Sequence, residues 1–312
     1  MKPIIPFALL GALFAFGAVQ AAETTPVGYY QFNGVTGGNL FVPGFVKPAA
    51  YAGVLTAASG TTLTVAANSF TAGAYNTVAP YATHYAEITS GPNAGVNIDI
   101  VSNTTNQITL KSSITALNLV GTESIAIRPH VTLRETLQGG EAGAGYNVFS
   151  DSVTFYELGG AAKSYLYTDT GVWSSDFGTT SDGNLRPIPP GTGFVLSLIT
   201  PNVFSVTGEV KTAPTVVQLT STAPNIVGAI NPLVGDSTKL SDLGFENMTP
   251  YTDSVTAYVP GALSIIATYL PDGTGELLDG SFLPTNAALP HTTGVIVTAA
   301  GGDTAVKLQS GL

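Results

Sequence analysis

Asp169, Asp176 and Asp182 crowd one short segment with Tyr167, Trp173 and Phe177. That mixture is the chemistry of a sugar-binding face. Rings stack on the apolar side of a sugar, and carboxylates accept hydrogen bonds from its hydroxyls. Trp173 is the single Trp of the chain. Trp173, Asp169, Asp176 and Tyr167 are therefore the candidate ligand residues, and the ligand would be an extracellular glycan. The competing reading is heavier: Gly171-Val-Trp-Ser is a hairpin turn feeding a strand, with Trp173 in the core, because large aromatics are mostly buried.

A second group of oxygens sits on Gly-rich turns. Asp272-Gly-Thr-Gly-Glu276 with Asp279-Gly280, and Ser181-Asp-Gly-Asn184, offer the hard ligands that calcium prefers. Structural calcium held by Asp272, Glu276 and Asp279 would be the cofactor. Neither segment matches an EF-hand loop or a nonapeptide calcium roll. Asp-Gly is ordinarily a tight-turn signal in β proteins, so plain turns are preferred and no cofactor is assigned.

Other chemistries find no support. His84, His130 and His291 form no His-x-His pair and no i, i+4 pair, so a zinc signature is missing and each reads as structural or exposed. Gly-x-Ser-x-Gly does not occur, and no Ser-x-x-Lys has plausible partners. Glycosidases need two carboxylates across a sugar, and the acids here are scattered. Gly91-Pro-Asn-Ala-Gly95 lacks the Lys and following helix of a phosphate loop, and reads as a hairpin connection. No catalytic residue is named, and the chain reads as a non-enzyme.

Elements must position whatever these residues do. Short alternating or β-branched runs dominate: Thr61–Val65, Val96–Val101, Gln107–Leu110, Ser124–Arg128, Gly193–Ser197, Val203–Val206, Thr215–Leu219 and Gly294–Thr298. Gly, Pro, Asn and Asp cut between them, which predicts an all-β sandwich or barrel. Two short helices are predicted as connectors. Thr132-Leu-Arg-Glu135 is a capping box, and Asp236-Ser237 caps a turn through Leu240 and Leu243, ended by Gly244.

Composition bounds the class. Only 10% of residues are charged, against the ~25% of ordinary soluble proteins. Lys and Arg total 10 against 20 Asp and Glu, a net charge of −10. Such a surface repels phosphate backbones, so nucleic-acid binding is set aside. Cysteine is absent, which removes disulfides, thiolate metal sites and thioether lipid anchors.

The first 22 residues read as a secretory signal peptide. Met1-Lys2-Pro3 precedes an apolar run from Ile4 to Phe16 and a small-residue exit, with cleavage expected beside Ala22. The run is too short for a bilayer, which takes ~20 apolar residues. The expectation is a secreted, periplasmic or cell-surface bacterial protein with no integral membrane segment after cleavage. A β-barrel of the outer membrane suits the mean hydropathy of +0.31, but not the frequent Pro and Gly or the end at Gln309-Ser-Gly-Leu312.

Gly139-Gly-Glu-Ala-Gly-Ala-Gly145 is the best boundary. It separates an N-terminal β domain (23–138, a sandwich or barrel) from a larger C-terminal β-sandwich domain (146–312). The second domain carries an internal repeat. Asp151-Ser-Val-Thr-Phe-Tyr156 recurs as Asp253-Ser-Val-Thr-Ala-Tyr258, and Ile188-Pro-Pro-Gly-Thr-Gly-Phe-Val195 is echoed by Leu289-Pro-His-Thr-Thr-Gly-Val-Ile296. Two similar units, about 146–210 and 211–312, follow.

Tyr85-Ala-Glu-Ile-Thr-Ser-Gly-Pro-Asn-Ala-Gly95, Ile98-Asp-Ile-Val-Ser-Asn-Thr-Thr105, Gln107-Ile-Thr-Leu110 and Ile127-Arg-Pro-His130 resemble a family of uncharacterised exported bacterial all-β proteins. Pro189 to Phe194 and Gly208-Glu-Val210 fit the same resemblance. Asn225-Ile-Val-Gly228 with Asn231-Pro232 is similar to the Asn-Leu-Ile-Gly-Asn-Pro-Tyr-Pro module of secreted and surface-displayed bacterial proteins. Here two residues separate Gly228 from Asn231, and Leu233 stands at the aromatic position. The resemblance implies export and a β architecture and carries no activity or site residues.

The function expected is a non-enzymatic structural or cell-surface protein that self-assembles, because low charge weakens the protection of edge strands. The partner would then be a second copy of the chain. The alternative is a secreted adhesin or carbohydrate-binding module.

Overall fold

The computed structural model describes residues 26–137, 145–156, 161–177, 180–228, 239–285, 287 and 293–309. The expected signal peptide, most of the Gly-rich boundary, His291, Asn231-Pro232 and the Asp236-Ser237 cap lie outside them. The chain is all-β. The first described strands are β1 (Val27–Gly34) and β2 (Gly37–Phe41). Then come β3 (Tyr51–Val54), β4 (Ala57–Ser59), β5 (Thr62–Thr64), β6 (His84–Ile88), β7 (Asn97–Asn103), β8 (Gln107–Leu110), β9 (Ser124–Pro129), β10 (Val131–Thr132) and the short helix α1 (Leu133–Leu137). β11 (Ser152–Phe155), β12 (Lys163–Tyr167), β13 (Trp173–Ser174), β14 (Pro187–Ile188), β15 (Phe194–Leu198) and β16 (Asn202–Glu209) follow. The last are β17 (Thr215–Leu219), β18 (Asn225–Val227), β19 (Ser254–Tyr258), β20 (Ile265–Pro271), β21 (Leu277–Leu278), β22 (Pro284–Thr285), β23 (Val295–Thr298) and β24 (Thr304–Leu308).

Among the described residues three large apolar cores organise these strands, and a fourth, small cluster of Leu40, Val42, Val195 and Ile226 joins β2 and β15 to β18. The first lies inside the seven-stranded sheet β3-β9-β6-β7-β8-β5-β4, where Leu63, Ile88, Ile100, Ile108, Ile125 and Ile127 are buried together. The second fills the body made of sheet β13-β12-β11-β15-β2 and ribbon β1-β16, with Phe41, Trp173, Phe194 and Phe204 at its centre. The third fills a body of sheet β18-β23-β19-β20-β21-β22 and ribbon β17-β24, around Phe245, Val255, Val295 and Val306. Alternation explains the ribbons. β1 reads exposed-buried through all eight residues, so one face covers a core and the other meets water.

Pairing cuts across the expected division at 139–145. β1 and β2, expected in a domain spanning 23–138, pair with β16 and β15 of the body that follows. The seven-stranded sheet, with strands between Tyr51 and Pro129, therefore sits in the chain between two strands of that body and the rest of it. These partners lie more than 150 residues apart in sequence, so no local pattern announces them.

The second and third bodies repeat specific hydrogen bonds. The Asp151 carboxylate accepts the amides of Asn147 and Ile199, both at 2.7 Å. Asp253 accepts those of Thr249 at 2.6 Å and Gly301 at 2.7 Å. Thr249, Asp253 and Gly301 each lie 102 residues after their counterparts. In the same way Asn39 accepts from the Val35 amide and donates to Leu196 O, while Asn225 accepts from the Thr220 amide and donates to Val297 O.

The capping box forms. Glu135 Oε2 accepts from the Thr132 amide at 2.9 Å, and the Thr132 hydroxyl faces the Glu135 amide at 3.4 Å. Past the undescribed cap, a 3₁₀ turn at Leu240–Leu243 ends at Gly244, whose φ is +64°.

Candidate functional site

Trp173 is fully buried, with ring centroids 5.1 Å from Tyr146 and 5.3 Å from Tyr167, itself buried. A ring without a free face cannot stack on a sugar, so Trp173 and Tyr167 are core residues and not a ligand platform. Asp169 stands in solvent on the hairpin turn between β12 and β13. Asp176 and Asp182 are brought together by Thr180, whose hydroxyl donates to both at 3.1 Å. Asp182 also binds Lys163 at 3.1 Å and Ser175. Burial pushes the Asp182 carboxyl up, but the Ser175 and Lys163 hydrogen bonds outweigh it and hold the group below the usual carboxylate range. A glycosidase acid needs the opposite shift.

The three calcium candidates lie at the ends of hairpin loops, Asp272 and Glu276 closing one and Asp279 opening the next. Asp272 accepts from the Thr274 amide and hydroxyl, and Asp279 from the Ser281 and Leu283 amides. These are the self-bonded turns that Asp-Gly dipeptides make. Among the described residues no three His, Asp or Glu converge as a metal-binding group.

The densest buried charge lies where the seven-stranded sheet meets the other two bodies. In β6 and β7, Tyr85 faces Asp99 and Glu87 faces Asn97; β9 brings Arg128 beside Tyr85. Period two puts all five on one face, opposite the Ile-rich core. Arg128 donates to Glu87 at 3.0 Å, to Glu209 at 2.7 Å and to the Lys47 carbonyl at 2.8 Å. Lys211 donates to Glu87 and to the Pro214 carbonyl. Two carboxylates thus face two cations. Burial pushes the Lys211 ammonium below its usual range despite Glu87. Burial opposes the Arg128 charge too, yet Glu87 and Glu209 raise its proton affinity above the ordinary value.

Beside this cluster, buried His130 approaches Asp99 Oδ1 at 3.0 Å and packs against the Tyr85 ring, with centroids 4.9 Å apart and planes tilted by 46°. Burial alone would raise the Asp99 carboxyl; the His130 hydrogen bond and charge, with Lys111, bring it below the usual range. Sequence spacing could not find this cluster, because its members come from four distant segments. Glu87 and Glu209 are each tied to a cation, so the arrangement holds the seven-stranded sheet to the rest of the protein.

No family model, curated protein or solved structure matches the chain. Among the described residues no helix is long and apolar enough to cross a membrane. A cavity of about 160 Å³ between the second and third bodies, lined by Gln31, Asn33, Asn39, Pro260 and Thr293, is smaller than the ~300–1,000 Å³ of small-molecule sites.

The two ribbons differ at their outer edges. β17 is covered: the Val216 amide donates to Gly95 O at 2.9 Å, and Val216 bridges Val96 in parallel. Gly95 permits that approach. Its φ is +98°, and a Cβ there would stand 2.7 Å from Pro214 O. Gly95→Ala is expected to cost about 2 kcal/mol through strain and lost contact, read as a lower urea midpoint. β1 has one neighbour among the described strands, β16, in an unbroken eight-residue register. Val27–Gly34 holds no charge, no Pro and no bulge. On the same face of the ribbon Val27, Tyr29, Gln31, Asn33, Val203, Ser205 and Thr207 are uncharged, and its one charge, Glu209 opposite Val27, is buried against Arg128.

Proposed function

We propose that this chain is an exported, non-enzymatic structural protein of the cell exterior that joins copies through the outer edge of β1. The observation carrying the reading is the contrast between the two ribbons: the β17 edge is occupied by Gly95-Val96, while the longer β1 edge pairs with no second strand among the described residues and carries no charge, Pro or bulge against strand addition. An open strand presents a row of amides and carbonyls that another strand can pair. The recurring hydrogen bonds at an offset of 102 support an internal duplication, with the seven-stranded sheet inserted into the first copy. The expected leader and the resemblance to exported bacterial β proteins support export.

Light scattering of the chain lacking residues 1–22, over a concentration series, tests the reading. Concentration-dependent growth to oligomers or filaments is expected. Tyr29→Lys with Gln31→Lys, which charges the ribbon beside the edge, is expected to return the protein to monomer without loss of fold. A strict monomer at every concentration would end the proposal.

A further inference from the structure

Four aromatic side chains stand in solvent on left-handed backbone. Phe149, Phe177, Tyr251 and Phe282 have φ of 55°, 60°, 56° and 57°, and are between 45% and 72% exposed. Glycine, and less often Asn or Asp, adopts this conformation cheaply. A bulky residue there is strained, and strained residues cluster at ligand clamps.

Two of the four occupy the same place in matched bodies. Phe149 and Tyr251 are 102 residues apart. The Phe149 amide donates to Tyr167 O at 2.7 Å and the Tyr251 amide to Pro271 O at 3.0 Å. The turns that carry them are pinned by the Asp151 and Asp253 carboxylates. The fold imposes a left-handed residue at this point; it does not impose an aromatic one. Gly or Asn would relieve the strain, yet a ring facing water stands there in both bodies.

A hairpin turn adjoins each ring, closed by Thr168 N to Val172 O in one body and Asp272 N to Glu276 O in the other. Each hairpin carries an acid, Asp169 or Asp272. In the third body Gly273 packs against Pro250, which adjoins Tyr251, and the Phe282 ring lies 6.5 Å from Tyr251 at 48°. Segments 145–151, 168–177, 249–253 and 271–283 hold no Lys or Arg.

We infer that these turns are two stacking sites for a neutral polysaccharide, one built on Tyr251 and Phe282 beside Asp272, the other on Phe149 beside Asp169. Flat ring faces take the apolar side of a sugar. Carboxylate oxygens have lone pairs left for sugar hydroxyls. The lack of cations turns away anionic polymers, and two weak sites on one chain gain avidity on a repeating polymer. This site is separate from the β1 edge and does not depend on it.

Native-gel affinity electrophoresis with hydroxyethyl cellulose, xylan, galactomannan and laminarin tests the inference, with sedimentation on insoluble cellulose and chitin. At least one polymer is expected to retain the protein. Tyr251→Gly and Phe282→Ala are each expected to weaken retention at least tenfold. Tyr251→Gly is expected to keep or raise Tm, because glycine relieves the strain. Retention by none of the six polymers overturns the inference, as does retention unchanged in Tyr251→Gly. A fall in Tm accompanying lost binding would make the ring structural and also overturn it. So would variants that change the light-scattering mass rather than retention, since the rings would then contact another copy.

Discussion

Arg128→Met is expected to destabilise the protein by about 3–5 kcal/mol, because removing one partner of a buried ion network leaves a charge uncompensated. Among the described residues Arg128 is the one side chain that forms ion pairs with both Glu87 and Glu209. Without it Glu87 keeps Lys211, but Glu209, only 6% exposed, loses its cation. Burying a lone carboxylate is far costlier than burying a matched pair. The double variant Arg128→Met with Glu209→Gln keeps the Glu87–Lys211 pair and removes the orphan charge, so it is expected to recover more than half of the loss. Urea unfolding followed by circular dichroism reads both. Calorimetry adds a sharper readout: with the junction weakened, the seven-stranded sheet is expected to melt apart from the other two bodies. A loss under about 1 kcal/mol would mean that the junction charges are solvated and do not hold the sheet in place.

The same junction explains what the sequence could show and what it could not. Segments with local alternation were legible: Gln107–Leu110 and Thr215–Leu219 are strands with those limits, and Ser124–Arg128 and Gly193–Ser197 differ by one residue at one or both ends. The capping box was legible because Thr132 and Glu135 are three residues apart and satisfy each other. Pairing was not. β1 finds β16 across some 170 residues, and nothing in Val27–Gly34 distinguishes that partner from a nearby strand. The charge cluster was hidden for the same reason, since Glu87, Arg128, Glu209 and Lys211 gain meaning only when three strands and a connection converge. Trp173 shows the limit of residue type. An aromatic among acids fits a sugar face as well as a core; residue type favours the core, and burial decides it. Four of the rings that do stand in solvent, Phe149, Phe177, Tyr251 and Phe282, lie at positive φ, which one-dimensional patterning does not register.

Asp151→Ala and Asp253→Ala are each expected to cost about 3–4 kcal/mol, because hydrogen bonds to a charged group are worth roughly 1.5–3 kcal/mol each and each carboxylate takes two backbone amides. Both carboxylates are fully buried, so water cannot replace them without opening the turn. The chain thereby holds an internal control. If the two bodies are copies of one unit, the two losses should agree within about 1 kcal/mol, the ordinary scatter between similar sites. Asp151 should be slightly the costlier, since the Asn147 side chain also donates to it. Urea midpoints measure the losses, and amide chemical shifts of Ile199 and Gly301 report whether each donor is released. A loss at only one of the two sites would show that the matched hydrogen bonds do unequal work and would weaken the case for duplication. Equal losses would tie local geometry to surface chemistry, because these carboxylates fix the turns that hold Phe149 and Tyr251 in the left-handed region. Releasing either turn should then remove a ring from its presented position, so Asp253→Ala should also reduce retention on whichever polymer retains the unaltered protein.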